Sequence, residues 1–208
     1  MLVDKRINEL LVPGIRFVEL GCGSGAIINA IEHQYTESIG IDFTDEQLSC
    51  LDENRKWEFI KADLNDVFPL ENDWADCIVA NQVIEHIYNP YEFARESCRI
   101  LRPGGRLIVT TPNIRYIKNL WWILASGYGP RTAGGNTLDG EWDDGHIHYF
   151  THTDMRDIFR EAGFRNVFTR ALVDLSKPSV TRYLIDKLSN LRFVQEFLAG
   201  NILLVADK

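Results

Sequence analysis

The stretch that decides the fold is Val18-Glu19-Leu20-Gly21-Cys22-Gly23-Ser24-Gly25. It closes a short apolar run, residues 16–20, and Ile27, Ala30 and Ile31 follow it at helical spacing. A strand that turns through glycines into a helix is the form of a nucleotide-type site. Glycine permits the sharp turn and leaves room for a ligand against the backbone, and the helix start offers unpaired N–H groups. Asp42 ends a second apolar run, residues 38–42. A carboxylate there can accept both hydroxyls of a ribose.

Outward from this turn, strand-like and helix-like segments alternate. Thr44 and Gln47 have the spacing of a capping box and open a helix with Leu48 and Leu51 on one face. Residues 57–62, 75–80 and 106–111 are predicted strands. Asn89-Pro90-Tyr91-Glu92 starts a helix that stops at Arg102-Pro103-Gly104-Gly105. Strands alternating with helices predict a parallel, doubly wound α/β sheet.

Residues 112–150 break the rhythm. They hold Trp121, Trp122 and Trp142, many glycines and one helix near 114–125. So long an irregular stretch inside a compact domain is expected to be a lid or binding loop. Two readings of its aromatics stay open. The apolar face of Ile114, Ile117, Trp121 and Leu124 packs on the body, or it caps an aromatic or lipid-like acceptor, with Arg115 and Lys118 toward anionic headgroups. The alternation then resumes. Thr151 and Asp154 open a helix carrying Met155, Ile158, Phe159 and Ala162, which Gly163 closes. Residues 165–173 and 201–207 are closing strands, with helical sequence at 179–198 that suits core, cap or a homodimer surface. The expectation is one domain over 1–208 with a variable cap at 112–150.

The bulk properties narrow the function. With 22 basic against 30 acidic residues the net charge is −8, which repels polyphosphates and argues against a nucleic-acid partner. Met1-Leu2-Val3-Asp4-Lys5-Arg6 has no apolar signal core, and the apolar run 120–125 is too short to span a bilayer. Cys22, Cys50, Cys77 and Cys98 are widely spaced with no CxxC pair, the pattern of reduced thiols in a cytoplasmic protein.

Gly21-x-Gly23-x-x-Ala26 also satisfies the dinucleotide fingerprint, so an NAD(P)-dependent dehydrogenase is the formal rival. Three features count against it: Asp63-Leu64 after the third strand, Asn81-Gln82-Val83-Ile84-Glu85-His86 after the fourth, and Leu101-Arg102-Pro103-Gly104-Gly105 before the fifth. On these elements the chain resembles the class I S-adenosylmethionine (SAM)-dependent methyltransferases. Within them it is similar to the small-molecule group that includes the ubiquinone-biosynthesis O-methyltransferases. The segments 144–151 and Glu161-Ala162-Gly163-Phe164 also resemble that group.

The resemblance implies a Rossmann-like fold, a seven-stranded, mostly parallel sheet with helices on both faces and the last strand antiparallel. It implies SAM as cofactor and S-adenosylhomocysteine as product. Gly21, Cys22, Gly23 and Gly25 would flank the methionine half, and Glu19 would help hold its amino group. Asp42 would bind the ribose and Phe43 would pack on adenine, whose edge would meet Asp63 and Leu64. Asn81 and Gln82 would contact the methionine portion, with His86 and Glu85 shaping the floor of the site.

The acceptor is expected to be a small molecule with an oxygen nucleophile. A hydroxyl acceptor needs its proton removed, and His146, then His148, are the candidate catalytic bases. No metal is expected, because His146-x-His148 has no evident third ligand. Besides the dehydrogenase, a non-catalytic SAM-binding module remains as a rival.

Overall fold

The computed structural model describes residues 5–46, 48, 56–132, 142–173, 180–189 and 191–208. Among them, seven strands form one sheet: β1 (Arg16–Leu20), β2 (Glu37–Asp42), β3 (Glu58–Lys61), β4 (Ala75–Asn81), β5 (Leu101–Pro112), β6 (Arg165–Leu172) and β7 (Asn201–Asp207). Their order is β3-β2-β1-β4-β5-β7-β6. The first five pair in parallel, and β7 runs antiparallel between β5 and β6. The expected mostly parallel, Rossmann-like sheet with an antiparallel last strand is therefore the observed one. The strand order reverses between β1 and β4, so a crevice opens at the carboxyl ends of these two strands, where ligands bind in such sheets.

Side chains alternate across the buried strands, giving the sheet an apolar layer on each face. On one face Val18, Leu20, Ile78, Leu107 and Leu204 meet Phe93 of α3 (Pro90–Ile100) and Met155 and Phe159 of α5 (His152–Glu161). On the other, Phe17, Cys77, Val79, Ile108 and Leu203 meet Ile7 of α1 (Lys5–Leu10) and Ile28 and Ile31 of α2 (Ala26–Ile31).

The predicted caps form for the stated reasons. Asn89 accepts from the backbone N–H of Tyr91 and Glu92, with Pro90 at the first helical position. Thr151 and Asp154 make a reciprocal capping box. At Thr44 the hydroxyl accepts from Glu46 N–H at 3.2 Å, while the other half of the predicted box, Gln47, and Leu51 lie outside the described residues. The turn at 102–105 is drawn into β5, whose register against β4 shifts between Ala75 and Cys77. Gly105 is needed there because a Cβ would stand 2.9 Å from the Asp76 carbonyl oxygen.

The helical stretch at 179–198 divides into α6 (Val180–Lys187) and α7 (Arg192–Phe197). The helix expected near 114–125 is α4 (Ile117–Ser126), and it does not pack as one of its two readings supposed. None of its residues is buried, and Trp121 and Leu124 are 71% and 83% exposed. Its apolar stripe at Ile117, Trp121 and Leu124 is exposed.

Candidate functional site

The glycine turn sits at the carboxyl end of β1. The N–H groups of Gly21 and Cys22 both bond the Ile41 carbonyl, at 2.8 and 3.1 Å, which ties the turn to the end of β2. Gly21, Gly23 and Gly25 take φ of +68°, +48° and +71°. Three left-handed positions in five residues explain why the sequence alternates glycine there. At Gly21 a second demand applies, since a Cβ would lie 2.4 Å from a methyl of Val83. The side chain of Cys22 turns away from the crevice into the core beside Ile27 and Trp57. This residue can therefore offer a ligand only its backbone.

Two carboxylates anchor the crevice. Asp42 accepts the Gly23 N–H at 2.7 Å and the Thr44 N–H at 3.3 Å, one on each oxygen. Each oxygen keeps a lone pair for a diol. Glu19 is 3% exposed and accepts the Ile28 N–H at 2.9 Å. Burial, against that hydrogen bond and aided by the Asp42 charge, pushes its pKa up to about 8. Such a group is poised to ionise when a cation arrives. Phe43 is 73% exposed beside Asp42, an apolar ring free to take an aromatic base on its face. Asp63 accepts the backbone and side-chain N–H groups of Asn65 at 2.9 and 2.8 Å, while Leu64 is buried in the core.

The end of β4 is fixed against β5. The Thr110 hydroxyl donates to Asn81 Oδ1 at 2.7 Å and accepts from Gln82 Nε2 at 3.1 Å. Gln82 holds a left-handed φ of +57°, a conformation costly for a residue with a side chain. Glu85 follows, fully buried. The Thr111 hydroxyl donates to its Oε2 at 3.0 Å, and its Oε1 has no hydrogen-bond partner. Burial holds its pKa up to about 7.

The segment after the variable stretch folds back onto this strand end. Ile147 and His148 N–H both donate to the Glu85 carbonyl, at 3.0 and 3.2 Å. The tight entry uses left-handed φ at Asp143, Asp144 and Gly145, residue types that tolerate it. His146 is thereby brought beside His86, ring centroids 4.8 Å apart and 67° between planes. Its Nδ1 lies 2.7 Å from the Thr132 hydroxyl and 3.6 Å from the Asp143 carboxylate. Burial, then the neighbouring His86, lowers its pKa.

His148 turns elsewhere, its Nε2 3.3 Å from the Tyr88 carbonyl. The fold thus joins His146 to Glu85 and His86 rather than to His148. Thr132 and Asp143 were not legible as site residues. The sequence Asp143-Asp144-Gly145 marks a turn, but nothing in it says which histidine the turn delivers.

The comparisons agree with this geometry. A family model described as a methyltransferase domain matches residues 2–168. The mitochondrial ubiquinone biosynthesis O-methyltransferase of Dictyostelium discoideum is 23% identical over 141 residues, covering 61% of this chain and 44% of that protein. A probable SAM-dependent methyltransferase of Mycobacterium tuberculosis is 33% identical over 97 residues, covering 46% and 35%. The chain spans less than half the length of these relatives. A SAM-dependent methyltransferase structure from Archaeoglobus fulgidus superposes with a TM-score of 0.67 at 17% identity, covering 98% of this chain and 90% of that one. The Gly21–Gly25 turn, the paired carboxylates and the matched domain carry one conclusion: this chain belongs to the class I SAM-dependent methyltransferase family.

Proposed function

We propose that the protein transfers the SAM methyl group to an oxygen of a small-molecule acceptor, leaving S-adenosylhomocysteine. The observation that carries this reading is the fold-back of residues 145–148 onto Glu85. It sets polar, proton-accepting groups just past Asn81 and Gln82, at the open end of β4. The sulfonium already activates the methyl, so the protein's task is to hold a nucleophile in line and dispose of its proton. His146 is the residue we assign to the acceptor's proton. Glu19, Gly21, Gly23, Gly25, Asp42, Phe43, Asp63, Leu64, Asn81 and Gln82 keep the cofactor roles that the family resemblance gives them. The segment 112–150 serves as the acceptor lid.

A panel of phenols, catechols, carboxylic acids and amines, assayed for S-adenosylhomocysteine release, tests the acceptor class. Turnover confined to hydroxylated compounds is the expected result, and turnover confined to amines contradicts the oxygen assignment.

A lipid-like acceptor met at a membrane surface is supported by α4, whose Trp121 and Leu124 stand exposed. Arg115 does not serve such a surface, because it pairs with Glu196 at 3.0 Å and covers the Phe197 ring. No helix among the described residues is long and apolar enough to cross a membrane. The exposed Val180, Leu184 and Phe193 of α6 and α7 equally suit a homodimer contact. Cys77 and Cys98 are reduced thiols, in keeping with a cytoplasmic setting. The net charge of −8 disfavours a nucleic-acid substrate.

Glu19 adds a proton-linkage prediction. With its pKa raised to about 8, the free protein carries it mostly neutral at pH 7. The SAM ammonium favours the carboxylate, so binding should release up to about one proton and tighten as pH rises toward 8. The sign for stability is opposite. The raised folded value favours the fold below the ordinary carboxylate pKa, and this contribution fades as pH rises toward about 8. Calorimetry in buffers of different ionisation enthalpy measures the release. Glu19→Gln should remove it, and an unchanged release would place the proton elsewhere.

A further inference from the structure

We infer that Asn65 and His148 are positioning residues that tie the adenine end of the cofactor site to the segment carrying His146. This coupling rests on the adenine role proposed for Asp63. An unbroken run of hydrogen bonds makes the link, from Asp63 through Asn65 and Tyr88 to His148. One step joins residues 23 apart in the chain and another joins residues 60 apart, so local sequence does not impose it.

The donors and acceptors fix each step. Asp63 Oδ1 accepts the backbone N–H of Asn65 at 2.9 Å and its side-chain Nδ2 at 2.8 Å. Both bonds fall on one oxygen, which leaves Oδ2 for the amino group of an adenine. With Nδ2 spent on the carboxylate, the amide oxygen of Asn65 is the end left for Tyr88, whose N–H it accepts at 2.7 Å. The reversed amide would set oxygen against carboxylate and NH2 against N–H, so only this orientation serves. Tyr88 then offers its carbonyl, 3.3 Å from His148 Nε2. A carbonyl only accepts, so Nε2 carries the proton.

His148 is held at two levels. Its own N–H and that of Ile147 donate to the Glu85 carbonyl, while its ring reaches further along the chain to Tyr88. The seat of this segment sets where His146 stands beside His86. Asp63, Asn65 and Tyr88 are all exposed, and hydrogen bonds that compete with water are individually weak. An adenine amino group on Asp63 Oδ2 would hold the carboxylate in one rotamer. Asn65 then gives up less freedom by bonding it, and the bonds to Tyr88 and His148 gain in turn. The consequence for methyl transfer is an order of events: the cofactor is seated first, and the acceptor segment is set by it.

Amide exchange at positions 147 and 148, followed by NMR on the full chain with and without S-adenosylhomocysteine, tests the link. In the wild type the ligand should slow both amides by about fivefold or more, the lower end of ordinary coupling between sites. Asn65→Ala and His148→Ala should each bind S-adenosylhomocysteine yet lose the slowing. By reciprocity their affinity for it falls by no more than the same factor. Asp66→Ala, an exposed neighbour of Asn65, should keep the slowing. A merely structural Asn65 would change exchange alike with and without the ligand. Slowing retained by Asn65→Ala, or absent from a wild-type chain that binds S-adenosylhomocysteine, overturns the inference and leaves the cofactor reading standing. A wild-type chain that does not bind it removes both.

Discussion

Gly23→Val is expected to abolish SAM binding while circular dichroism shows a folded protein. Gly23 holds φ of +48°, and its N–H reaches Asp42 at 2.7 Å. A β-branched side chain at that φ is a steric outlier, and a left-handed residue with a Cβ costs about 1–2 kcal/mol. The loop would move to relieve it, breaking the link that holds Asp42, the carboxylate we propose for the ribose. The side chain would also stand in the space the glycines leave for the ligand. Gly23 is a better probe than Gly21, where the Cβ meets Val83 and packing is tested before binding. Calorimetry should show an affinity loss of at least about a hundredfold, worth some 2.7 kcal/mol. Affinity retained by Gly23→Val would mean that the ligand lies away from the turn.

His146→Ala is expected to lower the single-turnover methylation rate by about 10²–10⁴-fold, the usual range for a lost proton-transfer group. SAM affinity should stay nearly unchanged, because His146 sits past β4 while Glu19 and Asp42, the carboxylates proposed to hold the cofactor, lie at β1 and β2. His148→Ala should have a much smaller effect, since His148 Nε2 is committed to the Tyr88 carbonyl. The split between rate and affinity separates a reacting role from loop ordering, which would loosen both. Normal turnover by His146→Ala removes the residue from the chemistry.

The sheet was largely legible because its strands are apolar runs bounded by strong punctuation. Residues 16–20 and 201–207 carry their strand limits openly, and Asn89-Pro90 and Thr151 carry their caps. The cofactor side was legible for a related reason. Glycines with positive φ, and a carboxylate closing the neighbouring strand, are local features that leave a local trace.

The acceptor side was not. His146 meets His86 across 60 residues of chain, so no spacing encodes the contact, and the adjacent His146-x-His148 pair drew attention to the wrong partner. Glu85 looked like part of a motif, whereas its meaning lies in an oxygen that burial leaves unpaired. α4 misled in the other direction. Its periodic stripe of Ile117, Trp121 and Leu124 has the form of a packed helix, yet the fold leaves it exposed. Periodicity records that a face is apolar and says nothing of what covers it.

The central claim is that the glycine turn and Asp42 hold SAM, and ligand-binding calorimetry tests it most directly. The wild-type chain should bind SAM and S-adenosylhomocysteine and show no heat with NAD(H). Asp42→Ala should weaken both cofactor forms by about 1–3 kcal/mol, roughly 5- to 150-fold, through loss of the ribose hydrogen bonds. NAD(H) binding in the absence of SAM binding would contradict the account.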